Sequence, residues 1–427
     1  MKDRKKIWIG GFALFSMFFG AGNLLFPPVL GRDMGTGYLV SALGFSTTAV
    51  GLVMLGVIAT IKAGGSIENL GESLGQGFSK FFGTMVLLAI GPGLAIPRNA
   101  ATTYEVIQGT IFKGLSPVIA SIIFFALVIF FTVKPQKVVS NIGKILTPFL
   151  LILLAIIIFR AVTSPMGTPV DKNVVGIFGK SFEEGYQTMD ALAALVFTKV
   201  IIDGFRYLGI KEEKEILSFT KYSALISGIG LAIIYFGLEY MGSTLSGLGF
   251  DDMGRVELLI YSTDTILGTF GGIILSLAMA LACLTTAIGL TATVGDFFSG
   301  LFKNKNLYVT IVVISSAIST FFAISGVDKI VVFSVPVLVS LYPVAITLIV
   351  LNVLGGEFIK RPIMLGSVLG SFIPSINVIT KLIGYPVDLL APIAKVLPDS
   401  LASFVWIIPV IILGAVFHIF KIGSKSN

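Results

Sequence analysis

The sequence predicts an all-α polytopic membrane protein with about twelve transmembrane helices. Two observations support this fold class. Hydrophobic residues make up 55% of the 427 residues and charged residues only 12%, whereas a soluble chain carries about 25% charged residues. The apolar residues also gather into stretches of about 20, the length that crosses a bilayer as a helix. No long polar segment remains from which a large soluble domain could be built.

Twelve apolar stretches follow one another along the chain, and each is predicted to be one span. The two longest are expected to tilt or to extend beyond the bilayer. The predicted limits, in order from span one to span twelve, are 7–31, 38–61, 81–112, 116–133, 139–162, 182–204, 221–241, 264–296, 307–324, 328–352, 363–383 and 402–420.

The positive charges predict the orientation of these spans. With the N-terminus inside, 19 of the 30 Lys and Arg residues lie on the inner side, 9 lie on the outer side, and Arg98 and Lys199 lie within spans. This excess follows the positive-inside rule. We therefore expect a multi-pass protein of a bacterial-type plasma membrane with both termini cytoplasmic. The net charge of +7 then reflects topology, and the expected partners are the lipid bilayer and a small-molecule substrate, with no nucleic acid.

Three connecting segments have patterns of their own. Apolar residues at helical spacing predict an amphipathic helix over 65–80 that lies on the inner surface. The charge run at 211–221 predicts a solvated cytoplasmic helix. The Gly-rich segment 242–262 holds several apolar residues, so it is either a lid that dips into an outer vestibule or an ordinary loop.

The spans divide into two halves of similar length. Spans one to five occupy about 7–162 and spans six to ten about 182–352. Because five is odd, a repeat of five spans must be inverted in the membrane. We predict a first inverted repeat at 1–164, a second at 165–356, and accessory spans eleven and twelve with a cytoplasmic tail at 357–427.

The first span of each predicted repeat is expected to be broken near the middle of the membrane. Gly20, Gly22 and Asn23 weaken the helix in span one. In span six the glycines Gly185 and Gly204 only bracket the centre. Broken backbone at membrane depth is tolerated where it is buried in protein or lines a watery cavity, and it can hold a small ion or a zwitterion. The alternative is that these small residues serve only close helix packing.

Span eight carries two adjacent hydroxyl groups, Thr285 and Thr286, with the carbonyl of Ala282 one turn earlier. These three neutral oxygens are of the kind that hard cations such as sodium prefer. Two carbonyls from a broken helix would complete a five-oxygen cage. The alternative is that each threonine bonds back to the carbonyl of the preceding turn.

Charged residues within spans usually mark a pathway or face protein. Lys199 and Asp203 lie at i, i+4 in span six and are expected to pair. Arg98 and Glu105 lie seven residues apart on one face of span three. They follow a Gly-Pro-Gly sequence and Pro97, which are expected to kink that helix. A structural polar network and a direct substrate contact both remain open for this pair.

The chain has no pattern typical of soluble catalysis. His418 and Cys283 are the only histidine and cysteine, and no P-loop, Cys/His metal spacing or Rossmann glycine pattern is found. We therefore predict no catalytic residues and no enzymatic activity. A membrane-embedded enzyme is the remote alternative, and a channel is disfavoured because broken helices fit a closed central site better than a continuous pore.

Five motifs, in order from span one to span ten, are together specific. They are Phe-Gly-Ala-Gly-Asn-Leu-Leu-Phe-Pro-Pro at 19–28, Ala-Ile-Pro-Arg at 95–98, Thr-Met-Asp-Ala-Leu-Ala-Ala-Leu-Val-Phe at 188–197, Leu-Ala-Cys-Leu-Thr-Thr-Ala-Ile-Gly-Leu at 281–290, and Ser-Val-Pro-Val-Leu-Val at 334–339 with Leu-Tyr-Pro at 341–343. With these motifs the sequence resembles the BrnQ-type branched-chain amino acid:cation symporters.

The resemblance implies a leucine-transporter-like fold of two inverted five-helix repeats plus two extra helices. It also implies uptake of leucine, isoleucine and valine by sodium symport with alternating access. Sodium would be the coupling ion, and no other cofactor is expected. A proton-coupled amino acid transporter is the close alternative, with Asp190 or Glu105 as the proton carrier.

The resemblance further implies the residues of two sites. A sodium ion between spans one and eight would be held by the carbonyls of Ser16, Phe19 and Ala282 and by the hydroxyls of Thr285 and Thr286. The substrate carboxylate would meet the amides of Ala21 and Gly22. Asn23, Thr188 and Asp190 complete the expected substrate site, and a second sodium site would draw on Asn23 and Thr188.

Overall fold

Helices form the regular structure of the protein. The computed structural model describes residues 2–134, 137–382, 384–385 and 387–423, and no strand occurs among them. The all-helical class predicted from the sequence is therefore confirmed.

Eight helical stretches are long and apolar enough to cross a membrane by length and composition. The first contains the second half of span one together with span two, and the others contain spans three, five, seven, eight, ten, eleven and twelve. They are Ala21–Lys62, Gln76–Thr110, Val138–Thr163, Glu213–Ser243, Arg255–Leu301, Val327–Leu354, Arg361–Lys381 and Leu401–Ile419.

The four remaining predicted spans are also helical within the described residues. Spans four and nine are shorter apolar helices, Pro117–Thr132 and Leu307–Ala323. Spans one and six are each divided in two by a break. Each of the twelve predicted spans thus coincides with helix in the structure.

The break in span one lies between the helices Lys2–Phe18 and Ala21–Met34. Gly20 is extended at the start of the second helix. Its amide donates to the side-chain Oδ1 of Asn23 at 3.0 Å, so one of the amides left without a helical partner at the break is satisfied locally. The residues that weaken the helix in the sequence therefore also stabilise its interruption.

The break in span six lies between the helices Ile177–Glu184 and Asp190–Tyr207. A 3₁₀ turn covers Gly185–Thr188, and Met189 follows with a positive φ of 63°. The left-handed conformation is uncommon for a residue with a side chain, and it ends the turn before the second helix begins. The predicted interruption of span six is confirmed.

Span three is kinked between the helices Gln76–Leu88 and Ala95–Thr110. A π-helical turn joins them, and Gly91 inside it has a non-helical ψ of −124°. The kink predicted from the Gly-Pro-Gly sequence is confirmed. Pro97 lies in the first turn of the second helix, where proline is tolerated because no intrahelical donor is needed there.

Spans one and seven are in close contact in their halves opposite the N-terminus, the side that is called outer according to the predicted orientation. Gly31 and Gly242 pack against the backbone of the other helix, so a Cβ atom at either position would overlap a carbonyl group. Small residues allow such close approach in membrane helices. The inner half of span one also packs against spans five and eight, which makes span one the centre of the bundle.

Spans eleven and twelve pack mainly on each other and, through span eleven, on span ten. Elsewhere the outward faces of the bundle are apolar: Phe130, Phe321 and Phe333 are each more than 70% exposed. Such exposed aromatic residues are expected where the surrounding medium is lipid. The two breaks lie in the spans that the predicted inverted repeat requires, and the division at 164/165 and 356/357 stays a prediction.

The prediction of one amphipathic helix over 65–80 is wrong. Two short 3₁₀ turns, Ile67–Asn69 and Glu72–Leu74, precede the helix of span three, which begins at Gln76. Gly75 lies between them with a φ of 108°, a conformation that no helix continues through.

Two further connecting segments differ from expectation. The charged residues of 211–221 do not form a helix of their own, because residues from 213 onward are the first turns of the span-seven helix Glu213–Ser243. The segment 242–262 is not simply a loop, since a helix runs over Arg255–Leu267 on the outer side. We call Arg255–Leu267 the outer helix.

Candidate functional site

A central cavity lies where the breaks of spans one and six face spans three and eight. In this conformation it holds only about 10 Å³ of free space, room for about one water molecule. All five residues that the sequence assigns to the substrate site line it. The complete lining is Met17, Phe18, Gly20, Ala21, Gly22, Asn23, Ile90, Ala95, Arg98, Asn99, Thr188, Met189, Asp190, Ala193, Thr286 and Leu290.

Apolar side chains form part of the cavity wall. Met17 and Phe18 come from span one, Ile90 from span three, Ala193 from span six and Leu290 from span eight. Four spans thus contribute hydrophobic side chains to this apolar wall. A ligand with a branched aliphatic side chain is the kind of molecule that such a wall accommodates.

The carboxylate of Asp190 anchors a polar network that also lines the cavity. Asn23 Nδ2 donates to Asp190 Oδ2 at 2.6 Å and lies 2.5 Å from the hydroxyl of Tyr235. Tyr235 OH also lies 3.3 Å from the same Asp190 oxygen. The amide of Asp190 donates to Thr188 Oγ1 at 3.3 Å. This network ties the broken segments of spans one and six to span seven.

Asn99 accepts a hydrogen bond from one of the backbone amides expected to bind the substrate. The amide of Ala21 donates to Asn99 Oδ1 at 2.9 Å, and Asn99 Nδ2 donates to the carbonyl of Ala95 at 2.9 Å. In this conformation the Ala21 amide is therefore bonded within the protein. Asn99 and Tyr235 were not singled out from the sequence, although both are polar groups at membrane depth, where such groups have partners.

Arg98 lines the cavity with only 3% of its surface exposed. Its Nε and Nη1 atoms have no hydrogen-bond partner among the described residues. Its guanidinium carbon lies 5.8 Å from the centre of the Phe26 ring, within the range of a cation–π contact. Of the two interpretations left open by the sequence, a satisfied structural network does not describe this side chain.

The oxygens predicted to hold sodium converge on Ser16. Thr285 Oγ1 lies 2.9 Å and Thr286 Oγ1 3.2 Å from the carbonyl oxygen of Ser16. Thr285 Oγ1 also lies 3.0 Å from the carbonyl of Ala282 and 2.9 Å from that of Leu281. The backbonding considered as the alternative is therefore present together with the contact between spans.

This donor set fits a hard monovalent cation. Ser16, Ala282, Thr285 and Thr286 offer neutral oxygens at one point between spans one and eight, and oxygen is the ligand atom that such cations prefer. Phe19, the fifth expected ligand, is fully buried directly before Gly20. Among the described residues no group of three or more His, Cys, Asp and Glu residues is placed to hold a metal.

The expected pairing of Lys199 with Asp203 is wrong. Lys199 pairs instead with Asp296 of span eight, because its side chain faces the neighbouring span. Asp203 pairs with Arg206 at 2.8 Å, one turn further along the same helix.

Glu105 stabilises the start of another span. Its Oε1 accepts a hydrogen bond from the amide of Val327 at 2.8 Å, and Val327 is the first residue of the span-ten helix. A carboxylate at this position satisfies an amide that has no partner within the helix. The structural interpretation of Glu105 is therefore the one that the contacts favour.

A second cavity, the vestibule, lies on the inner side of the central cavity. It holds about 140 Å³ of free space, and its walls include Leu195, Val196 and Thr293. These residues lie within one turn of the cavity residues of spans six and eight. The Lys199–Asp296 pair lines the same vestibule, so charged side chains border it.

Phe26, which is fully buried, lies next to the cavity residue Arg98 on the outer side. Arg255 of the outer helix lies over the ring of Phe26 at 5.5 Å and pairs with Asp328 of span ten at 3.7 Å. Arg32 Nη1 donates to the carbonyls of Phe250 and Met253 at 3.0 and 2.8 Å. These contacts tie the outer loops to spans one and ten.

A further ion pair joins two outer loops. Lys172 donates to Asp251 at 2.7 Å, and this hydrogen bond holds the pKa of Asp251 below its ordinary value. Because the folded-state pKa is lowered, the contribution of the pair is present above the ordinary aspartate pKa and is lost as the pH falls through the lowered value. The outer loops thus keep this contact at neutral pH.

Residues 3–423 match the family described as "Branched-chain amino acid transport protein". The branched-chain amino acid permease BrnQ of Bacillus subtilis is 36% identical over 429 residues, which cover 97% of each chain. The branched-chain amino acid transport system 2 carrier protein of Pseudomonas aeruginosa is 34% identical over 410 residues, covering 94% of this chain and 92% of the relative.

Two solved structures share the fold at low sequence identity. A Na⁺-coupled sialic acid symporter, in a substrate-bound outward-open state, superimposes with a TM-score of 0.61 at 15% identity, covering 97% of this chain and 90% of that one. The nucleobase-cation-symport-1 transporter Mhp1, in a closed conformation with bromovinylhydantoin bound, gives 0.61 at 10% identity, covering 97% and 92%. At these identities the likeness concerns the fold alone, and it agrees with the leucine-transporter-like architecture expected from the motifs.

Proposed function

The chain belongs to the branched-chain amino acid transport protein family, and from this premise we propose that it imports leucine, isoleucine and valine by sodium symport with alternating access. Membership of the family gives the substrate class. What we propose is the coupling ion, the transport cycle and the residues that bind the substrate.

The composition of the cavity supports the assignment of the substrate. The lining combines the polar segment Gly22, Asn23, Thr188 and Asp190 with apolar side chains. A branched-chain amino acid has the same division between a charged backbone and an aliphatic side chain. One methylene changes binding in an apolar pocket by only about 1–3 kcal/mol, so leucine, isoleucine and valine are expected to compete with one another.

The observation on which sodium coupling chiefly rests is the meeting of the Thr285 and Thr286 hydroxyls at the Ser16 carbonyl. The residues that would hold the ion are Ser16, Phe19, Ala282, Thr285 and Thr286. A bound sodium ion would supply a positive charge between spans one and eight, close to the substrate carboxylate. Thr286 belongs both to this set and to the cavity lining, which gives ion and substrate a shared element.

The difference between the two sides of the cavity supports alternating access. Phe26 and the outer-loop contacts lie on the outer side, whereas the vestibule lies within one turn of the cavity on the inner side. We propose that this arrangement is an inward-facing state. Transport would follow if spans one and six rock against spans three and eight, so that the outer contacts open while the vestibule closes.

The test is leucine uptake into proteoliposomes that contain the purified protein. An inward sodium gradient is compared with an inward proton gradient at equal membrane voltage. We expect accumulation with the sodium gradient, and competition by isoleucine and valine. Uptake driven by protons alone would contradict sodium symport and would make Asp190 the first residue to examine as a proton carrier.

A further inference from the structure

Arg98 is a buried cation in the central cavity that forms no ion pair with a described residue. We infer that its guanidinium binds the carboxylate of the transported amino acid, while Asp190, which lines the same cavity, receives the ammonium group. The inference rests on the proposed function, because it names the groups that recognise the substrate. It makes Arg98 a specificity-determining residue rather than part of the scaffold.

Leaving the buried Arg98 cation unpaired costs free energy. Arg98 is 3% exposed, and its Nε and Nη1 donors find no acceptor among the described residues. No carboxylate oxygen of those residues lies within ion-pair distance of it. A buried, unpaired charge is strongly destabilising. An anionic group brought by the ligand would offset that cost.

Glu105 and Asp190 form hydrogen bonds with groups other than Arg98. Glu105, seven residues further along span three, bonds to the first amide of span ten. The hydrogen bonds to the side chain of Asp190 come from Asn23 and Tyr235 and reach Oδ2. The guanidinium is instead supported by the ring of Phe26, a contact that stabilises a cation while leaving its N–H donors available.

The guanidinium of Arg98 lies at the break of span one. A Cβ atom built on Gly22 would lie 2.9 Å from Arg98 Nη2, so the side chain reaches the first turn of the helix Ala21–Met34. The N-terminus of a helix attracts an anion through its free amides. A carboxylate at this point would meet the helix N-terminus and the arginine together.

The opposite charges of Arg98 and Asp190 in the cavity match those of a zwitterion. Arginine presents parallel N–H donors that fit a carboxylate in a bidentate arrangement. Asp190 lines the same cavity, and the hydrogen bonds from other side chains reach only one of its two carboxylate oxygens. An α-amino acid carries the complementary pair of charges. This assignment also accounts for the Ala21 amide, which is bonded to Asn99 and does not have to receive the carboxylate.

The test is equilibrium binding of radiolabelled leucine to the purified protein, with unlabelled competitors. Leucinol has no carboxylate and 4-methylpentanoate has no amine. We expect the wild type to bind leucine about 100-fold more tightly than leucinol, since a site built for a charged partner rejects an analogue that leaves it unpaired. In Arg98→Gln, leucine affinity is expected to fall about 100-fold and the preference for leucine over leucinol to fall below about fivefold.

Two further variants separate recognition from structure. Arg98→Lys keeps the charge but not the paired donors, so leucine affinity is expected to fall about tenfold with folding retained. Arg160→Gln is the matched control: its arginine donates to the carbonyl of Ile266 at the outer end of span five, away from the cavity, and leucine affinity is expected to stay unchanged.

The outcomes distinguish the inference from the proposed function. A wild type that binds no branched-chain amino acid would overturn both. A wild type that binds leucine and leucinol equally well, or an Arg98→Gln protein that keeps wild-type leucine affinity, would overturn the role of Arg98 alone. An equal loss of leucine and leucinol binding in both Arg98 variants would show that the residue acts only on the structure.

Discussion

Gly20 of span one lies close to side chains of both span three and span eight. A Cβ atom there would lie 2.9 Å from Asn99 Oδ1 and 3.0 Å from Thr286 Oγ1. Asn99 accepts a hydrogen bond from the Ala21 amide, and Thr286 contacts the Ser16 carbonyl. The absence of a side chain at this position allows the break, the cavity and the proposed ion site to share one point.

Gly20→Ala is therefore expected to impair sodium-driven leucine uptake at least tenfold, because the added methyl group displaces Asn99 or Thr286. Asn99 is held by its hydrogen bonds with the Ala21 amide and the Ala95 carbonyl, so it cannot move aside without losing them. Initial uptake rates at varied sodium concentration measure the effect. Gly77→Ala is the matched control, since no atom lies within 4 Å of a Cβ built there in the first helix of span three, and its uptake should equal the wild type. A Gly20→Ala protein with normal uptake would contradict this account.

Ala193 sets the space available to the substrate side chain. It is a buried residue of the apolar wall, and Ala193→Val would fill part of the cavity. We expect the uptake efficiency for leucine to fall about tenfold relative to that for valine, in line with the free energy of a methylene group in an apolar pocket. Competition uptake with both amino acids measures the ratio.

Ala292→Val is the control for Ala193→Val. Ala292 is also buried, on span eight, but it does not line the cavity. Its leucine-to-valine ratio should stay at the wild-type value even if its expression falls. A change of ratio in the control, or none in Ala193→Val, would mean that the cavity wall described above does not contact the substrate side chain.

The residues of the candidate site differ in how well the sequence indicates them. Asn23, Asp190, Thr285 and Thr286 lie in motifs, so their proximity across spans was expected. Asn99 and Tyr235 enter through contacts between distant segments, and nothing in the local pattern says which polar residue a broken helix will use. The pairing of Lys199 with Asp296 was missed for the same reason, because helical spacing gives neighbours only within one span.

At the scale of helices, interruptions were predicted where glycine and proline cluster. This holds for the break in span one and the kink in span three. The break in span six was expected from the inverted repeat rather than from its own residues, since Met189 adopts a left-handed conformation that its side chain does not favour. Segment 65–80 shows the limit of periodicity, because its apolar spacing is helical but Gly75 interrupts it.

The outer half of span one forms a seal through the ring of Phe26, which lies near both Arg98 and Arg255. Phe26→Ala would remove packing worth about 3–5 kcal/mol from the outer-closed state. We expect a larger outward-open population. In a Cys283→Ser background, a cysteine introduced by Thr188→Cys in the cavity should then react with a membrane-impermeant maleimide from the outside at least tenfold faster.

Phe82→Ala is the control for this experiment. Phe82 is also buried and stacks on Phe78, but it lies in the first half of span three, away from the outer helix. Outside labelling of the same introduced cysteine should not increase in this variant. Equal acceleration in both variants would indicate general loosening, and no acceleration in Phe26→Ala would mean that Phe26 does not close the outer side.

At the scale of the whole molecule, the number and order of the spans followed from apolar length alone, and the helices coincide with all twelve. The orientation depends on the distribution of positive charges and stays a prediction. The outer helix Arg255–Leu267 was not predicted as a helix, because its apolar residues serve packing against neighbouring spans rather than a crossing of the membrane.

The single cysteine of the chain makes the orientation testable. Starting from Cys283→Ser, we introduce Asn304→Cys in the turn between spans eight and nine, or Ser325→Cys in the turn between spans nine and ten; both positions are exposed. With both termini cytoplasmic, an impermeant maleimide applied to intact cells should label only the second variant. Labelling of the first variant alone would reverse the orientation.

The central claim is that sodium held between spans one and eight strengthens amino acid binding in the adjacent cavity. The most direct measurement is the leucine dissociation constant of the purified protein with and without sodium, at constant ionic strength. Coupling between two sites typically changes affinity about 5- to 150-fold, and we predict at least a tenfold gain in the wild type. The combined substitutions Thr285→Ala and Thr286→Ala should reduce this gain to less than twofold. Thr220→Ala, which removes a buried hydroxyl bonded only within span seven, should keep it. A wild-type dissociation constant that does not respond to sodium, or a double variant that keeps the full response, would contradict the account.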